Sequence, residues 1–304
     1  MGVTKIPVLY IGGWGRSGST LIANILGSLD PFIHVGELSW IWEHGWKLNY
    51  LCGCGNRFSS CEFWRNVVFE FEKDVGNIDV DKMIYIRNKM AKKKLLYITE
   101  GKINDEMIEY LNCLRILYEK IYANSGNKII IDSSKAPSHF FALKKINDVE
   151  LYLLHLVRDA RGCAYSWKKI IYRNDAEPGK EQLFQRLTPA SSTIKWCMRN
   201  IFFEMYKSKK YKYTLLKYES FVKDVSKHVS MLTSKYAGMD NRIENIEVGV
   251  NHTIWGNPSR LKRGKIEIRT DDAWRREMQW KDRLLVTALS WPLLLKYGYL
   301  GKTS

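Results

Sequence analysis

Short apolar runs alternate with stretches of helical spacing along this chain. Lys5-Ile-Pro-Val-Leu-Tyr-Ile11 is an apolar run stopped by Gly12-Gly13, the pattern of a buried strand. From Thr20 to Leu29 the apolar positions Leu21, Ile22, Ile25, Leu26 and Leu29 recur at helical spacing, and Asp30-Pro31 ends the helix. Residues 50–64 read as a loop rich in Gly and Cys. Helices follow over 79–96 and 105–124, a strand over 128–132, a helix over 137–147 and a strand over 151–157. The remaining pattern gives helices over 160–172 and 181–209, a strand at 213–217, and helices at 219–236 and 280–297. Residues 238–272 carry Gly, Asn and Pro punctuation and little periodicity.

Strands separated by helices imply right-handed βαβ units, so the fold class is α/β with a P-loop-like parallel sheet flanked by helices. There is no internal repeat or low-complexity linker, and a single domain over 1–304 is expected. Ligands of such sheets bind at the carboxyl ends of the strands, where the motifs described below fall.

Composition narrows the partners. Apolar residues make up 45% of the 304, enough for a sizeable core and against global disorder. Lys and Arg number 48 against 32 Asp and Glu, a net charge of +16 that favours anionic ligands without choosing among them. The most apolar stretch, 284–295, holds Thr287, Ser290 and Pro292 and is too short to span a bilayer. The first residues are too short for a signal h-region, and six Cys do not make a disulfide scaffold, so a cytoplasmic location is expected.

After the first strand comes Gly13-Trp-Gly-Arg-Ser-Gly-Ser-Thr20. Gly13, Gly18 and Thr20 match the phosphate-loop pattern G-x-x-x-x-G-K-[ST], but Ser19 stands where the lysine belongs. A Gly-rich turn into a helix presents N–H groups and a positive dipole end to an anion, and Arg16 adds a cation. A second string, Val157-Arg-Asp-Ala-Arg-Gly-Cys-Ala-Tyr-Ser166, puts Arg158 at a strand end and Ser166 about two helical turns on. Such a pair can grip one phosphate, although an Arg-Asp pair at a helix start is also common in structural roles.

Together these two segments resemble the cofactor signatures of the sulfotransferases that use 3′-phosphoadenosine-5′-phosphosulfate (PAPS). The resemblance implies that Gly15, Arg16, Ser17, Gly18, Ser19 and Thr20 hold the 5′-phosphosulfate, and that Arg158 and Ser166 hold the 3′-phosphate. Three more segments continue it in family order. Cys52-Gly-Cys-Gly-Asn-Arg-Phe-Ser-Ser-Cys-Glu-Phe-Trp64 is similar to a Cys/Gly segment of a mainly bacterial branch. Asp132-Ser-Ser-Lys-Ala-Pro137 is similar to the segment supplying an active-site Lys, here Lys135. His252 to Arg260, with Lys262, Arg263, Gly264 and Asp272-Ala-Trp274, is similar to a basic loop over the 3′-phosphate. The resemblance implies sulfuryl transfer from PAPS to a hydroxyl or amine, with no metal and an acceptor that is a glycan, a protein tyrosine, a lipid or a small hydroxylated molecule. Residues 65–125 are the least similar part.

For the base, Gly36-Glu37 resembles a Gly-Glu pair in the tyrosylprotein sulfotransferases whose Glu is catalytic; a solvated or ion-paired Glu37 is the alternative. His139 follows Lys135-Ala-Pro137, where carbohydrate-type sulfotransferases also have Pro, and is expected to be a structural or outer-shell residue. Cys52, Cys54 and Cys61 have an unusual spacing for zinc and no adjacent fourth ligand, so a thiol cluster or a disulfide is expected. Trp40, Trp42 and Trp46 could stack a ring but fit core packing, and Lys92-Lys-Lys94 fits a solvated helix face. Two rivals remain. A P-loop kinase would use Asp132 as a Walker B acid, against which Ser19 stands. A nucleic-acid-binding protein accounts for the charge but for neither motif.

Overall fold

A computed structural model describes residues 5–92, 104–173, 182–207, 212–240 and 246–301. Its frame is one sheet of five strands: β1 (Ile6–Gly13), β2 (Phe32–Gly36), β3 (Ile129–Asp132), β4 (Val149–Val157) and β5 (Lys212–Lys217). The order is β2-β3-β1-β4-β5, and every pairing is parallel. β1 lies centrally because its run is apolar on both faces, as a doubly covered parallel strand must be. Val8 and Tyr10 enter one core with helices α4 (Asp105–Asn124) and α5 (Pro137–Lys144). Leu9 and Ile11 enter the opposite core with α1 (Ser19–Gly27). The strand order reverses at β1, between β3 and β4, so the crevice at their carboxyl ends is the switch point where ligands of such sheets sit.

The α/β reading stands, with local corrections. β2 and the π-helix Ile41–Lys47 fall where the sequence pattern gave no element. Helix α2 (Glu62–Val75) begins inside the expected loop at 50–64. The expected helix 79–96 is α3 (Val80–Lys92), and 93–96, with Lys93 and Lys94, lie outside the described residues. Helix α6 (Ala160–Lys168) is shorter than expected. The stretch 181–209 is not one helix: α7 (Pro189–Glu204) starts where Thr188 caps the N–H of Ser191 and Pro189 takes the first turn. Before it, Gln182–Leu183 pairs antiparallel with Tyr172–Arg173; 181 and 208–209 lie outside the described residues. The helix expected at 219–236 breaks at Asp224, whose side chain caps the second half, giving α8 (Tyr218–Lys223) and α9 (Val225–Ala237). The last helix, α10 (Trp280–Lys296), packs with α6 and α7 around Trp14 and Trp196. Among the described residues no helix is long and apolar enough to cross a membrane.

Three buried histidines make the fold acid-sensitive. His34 bonds Asn24 Oδ1 and Ser133 Oγ, and His155 bonds Tyr213 and Asn200. His44 stacks on Trp255 at 3.3 Å between ring centroids. Burial, and for His34 and His44 nearby cations as well, pushes their pKa values down to about 3 (His34), about 2 (His44) and about 4 (His155). In the unfolded chain each titrates near 6.5, so between about pH 6.5 and 4 the unfolded state binds more protons and stability falls as pH falls. Each contributes about 1.4 kcal/mol per pH unit once its unfolded form is protonated. Urea unfolding at pH 7 and pH 5 is expected to show a large loss at pH 5, smaller in His155→Gln. Equal midpoints at the two pH values would contradict it.

Candidate active site

The loop Trp14–Gly18 leaves β1 and enters α1 through Gly18, at φ +88°. A Cβ there would lie 2.4 Å from the Tyr218 ring, so only glycine fits both the turn and the contact. No side chain caps α1 and its first turn has no acidic residue, which leaves N–H groups and the positive dipole end facing the crevice. Trp167 Nε1 donates to the carbonyl of Gly15 at 3.1 Å and fixes the loop against α6. Arg16 has φ +68° and lies 5.1 Å from the centroids of both Trp167 and Phe184.

A cavity of about 850 Å³ opens over this loop. Gly15, Arg16, Gly18, Ser19 and Thr20 line it, and from the other segments so do Glu37, Lys135, Arg158 and Ser166. Ser17 does not: it is buried, with its hydroxyl 3.5 Å from Cys163 Sγ. Its side chain therefore cannot serve a ligand, and only its backbone remains available.

Lys135 sits in a braced turn after β3. Ser134 bonds Asp132 and accepts from the N–H of Ser39. Arg199 donates to the carbonyl of Lys135, and Tyr10 donates to that of Ala136 at 2.8 Å. These contacts hold Lys135 at φ +58°, a left-handed conformation unusual outside glycine and a form of strain common at functional sites. Its Nζ reaches Glu37 Oε1 at 2.8 Å and also donates to the carbonyl of Ser133. Both side chains are largely buried, at 10% and 15% exposure.

Glu37 follows Gly36, whose φ is +90° and where a Cβ would meet the Ile254 carbonyl at 2.3 Å. The close approach lets Ile254 continue the sheet edge: its N–H donates to Val35 and its carbonyl accepts from Glu37 N–H, both at 3.0 Å. Glu37 and Asp271 are the carboxylates among the lining residues.

Four further cations line the cavity that the sequence motifs did not flag: Arg87, Arg173, Lys195 and Arg199. Arg199 comes from α7, and burial lowers its pKa while Tyr10 and Glu37 oppose the shift. Arg173 lies over Trp255 at 3.6 Å and Phe184 at 4.2 Å. Burial and Arg173 together also lower the pKa of Arg16, with Glu37 opposing. Arg199 had one sequence signal, its place within the buried stripe Trp196, Asn200 and Phe203. Arg173 had none.

Arg158 donates to the carbonyl of Arg16 at 3.0 Å and pairs with Asp271 at 2.9 Å. The basic loop expected beside it is elsewhere. Arg260 is buried, donating to Thr253 and Leu51 carbonyls, and does not line the cavity. Arg263 donates to the carbonyl of Gly53, Lys262 is exposed, and Gly264 belongs to a two-stranded ribbon with Val248. Asn257, Ser259 and Asp271 from the same region reach the cavity instead.

His139 is buried beneath the site, with Nε2 3.1 Å from both Tyr118 Oη and Asp132 Oδ2. It does not line the cavity. Asp132 is fully buried; although burial opposes ionisation, bonds from His139, Ser134 and Tyr118 keep its pKa below the ordinary value. That burial removes it as a Walker B acid. Trp42 and Trp46 pack in the core, and Trp40 lines the cavity.

Sheet, loop and cavity define an α/β protein with a cationic crevice at the switch point of a parallel sheet. A model of the sulfotransferase family matches residues 7–237, and the chain belongs to that family. The solved sulfotransferase domain of the curacin biosynthetic pathway is similar, with TM-score 0.51, 14% identity, and coverage of 94% of this chain and 97% of that one. The sulfotransferase domain of the Synechococcus PCC 7002 olefin synthase gives 0.53, 17%, 95% and 96%. At these identities the likeness is one of fold. No curated protein matches the chain.

Proposed function

We propose that this chain moves the sulfuryl group of PAPS onto a hydroxyl or amine of an acceptor. The observation that carries the reading is the convergence of Arg16, Lys135, Arg158, Arg173 and Arg199 on one cavity beside the uncapped start of α1. A ligand with phosphate-type charge at two ends suits that distribution. The α1 loop and Arg16 take the 5′-phosphosulfate, and Arg158 and Ser166 take the 3′-phosphate.

The acceptor oxygen attacks sulfur as the sulfur–oxygen bond to the 5′-phosphate breaks. The bisphosphate leaves with the electron pair, and the acceptor proton passes to Glu37. Lys135 and Arg16 are placed to stabilise charge on the departing phosphate, as preorganised donors do in group transfer. The aromatic wall of Trp40, Trp255 and Phe184 offers the acceptor a flat apolar surface. A reducing compartment, the cytoplasm, suits the six free cysteines.

Calorimetry with EDTA present tests the cofactor. The bisphosphate 3′-phosphoadenosine-5′-phosphate is expected to bind without magnesium and much more tightly than ATP. Magnesium-dependent ATP binding of equal or greater strength would restore the kinase reading. Incubation with labelled PAPS and a panel of acceptor classes, read by the mass of one added sulfuryl group, then identifies the acceptor.

A further inference from the structure

Away from the phosphate loop, four donor atoms from distant parts of the chain meet. The thiol sulfurs of Cys52, Cys54 and Cys61 and a ring nitrogen of His252 lie within 4.8 Å of one another. His252 Nδ1 is 3.3 Å from Cys61 Sγ and 3.9 Å from Cys52 Sγ. Ligand bonds of about 2.3 Å to sulfur and 2.0–2.1 Å to nitrogen around a tetrahedral zinc give S···N edges of about 3.6 Å and S···S edges of about 3.8 Å. The observed edges to His252 bracket that distance.

We propose that Cys52, Cys54, Cys61 and His252 form a closed, structural Cys₃His zinc site. His252 is the fourth ligand that the cysteine spacing alone could not supply, since it lies some two hundred residues from Cys52. The surroundings hold each ligand in place. Trp64 Nε1 donates to the carbonyl of His252 at 2.8 Å, and Phe63 stacks on its ring. The turn at Cys52 is closed by Gly55 N–H to its carbonyl, and Gly53 N–H donates to Thr253. A Cβ on Gly53 would stand 1.8 Å from Asn251 Oδ1, so the loop lies directly against the Asn251 and Thr253 side chains.

The ion would staple the 52–61 loop to the segment that continues through Ile254 onto β2. It would thereby brace Glu37 and Trp255 without touching the ligand cavity. A disulfide would use two of the four groups and leave a thiol and an imidazole with no common purpose.

The test uses the full chain, purified without a histidine tag under reducing conditions. Elemental analysis is expected to find one zinc per chain, absent from Cys61→Ser and His252→Ala and kept in Cys113→Ser, whose thiol is buried elsewhere. Exchange of wild type into cobalt(II) is expected to give thiolate-to-metal charge transfer and the intense visible bands of a tetrahedral site. His252→Cys keeps the metal and shifts those bands. The wild-type spectrum stands even where a variant fails to fold. Wild type without zinc and silent with cobalt overturns the proposal, as does a Cys52–Cys61 disulfide found by mass in the reduced preparation.

Discussion

Glu37→Gln is expected to lower kcat about 10²–10⁴-fold, the usual contribution of a positioned general base. An acceptor hydroxyl has a pKa far above 7, so attack gains from a base within hydrogen-bond reach. Glu37 has the placement: it lines the cavity, and its backbone is held by Ile254. Gln keeps the size and one accepting oxygen but cannot take a proton. Affinity for the bisphosphate product should hold or rise, because the change removes a negative charge 2.8 Å from Lys135 and beside Arg16. That separates a base from a mere counter-ion of Lys135, whose loss would disturb nucleotide binding more than turnover. His139→Ala should cost stability rather than kcat, since the ring is buried against Tyr118 and Asp132. If Glu37→Gln turns over at the wild-type rate, the proton goes elsewhere.

Arg158→Ala is expected to weaken the bisphosphate by about 2–4 kcal/mol, the loss of a charged phosphate contact in a desolvated site. Ser166→Ala should cost less, since it removes a neutral donor. Adenosine-5′-phosphosulfate, which lacks the 3′-phosphate, should be almost indifferent to both. The carboxylate of Asp271 occupies part of the Arg158 guanidinium and competes with any phosphate there. Asp271→Asn should therefore tighten the bisphosphate by about 2- to 5-fold, within the range of a partly exposed ion pair. Calorimetry on the three variants with both nucleotides decides it. Equal weakening of the two ligands by Arg158→Ala would place the damage at the 5′ end or in the fold.

The parts of this molecule legible in the sequence are those whose signal is local. The β1 run, its glycine stop and the α1 stripe announce the Gly-rich loop between them, and Glu37, Lys135, Arg158 and Ser166 do reach one cavity with it. Where the signal is not local, reading fails for definite reasons. β2 is five residues long, includes His34, and is recognisable only through its pairing with β3. Arg199 and Arg173 sit in a helix and a short ribbon with no motif around them. The basic run at 260–264 invited a phosphate because charge can be counted along a chain, whereas burial cannot. Arg260 spends its charge on backbone carbonyls instead. Thr188 and Pro189 mark the true start of α7, a capping signal that the longer amphipathic pattern obscured.

The pairing of Ile254 with Val35 and Glu37 has a consequence for the order in which the protein assembles. Contacts of long sequence separation carry the largest loop-closure cost and tend to form late. The Gly-rich loop needs only β1 and α1, with α6 and α8 packed beside them, all emerging before residue 224. The backbone of Glu37 is not secured until a segment more than two hundred residues downstream has left the ribosome and docked. A nascent chain can thus form the Gly-rich loop before Glu37 is locked in place, so completion of this fold and of the cavity wall around Glu37 come together.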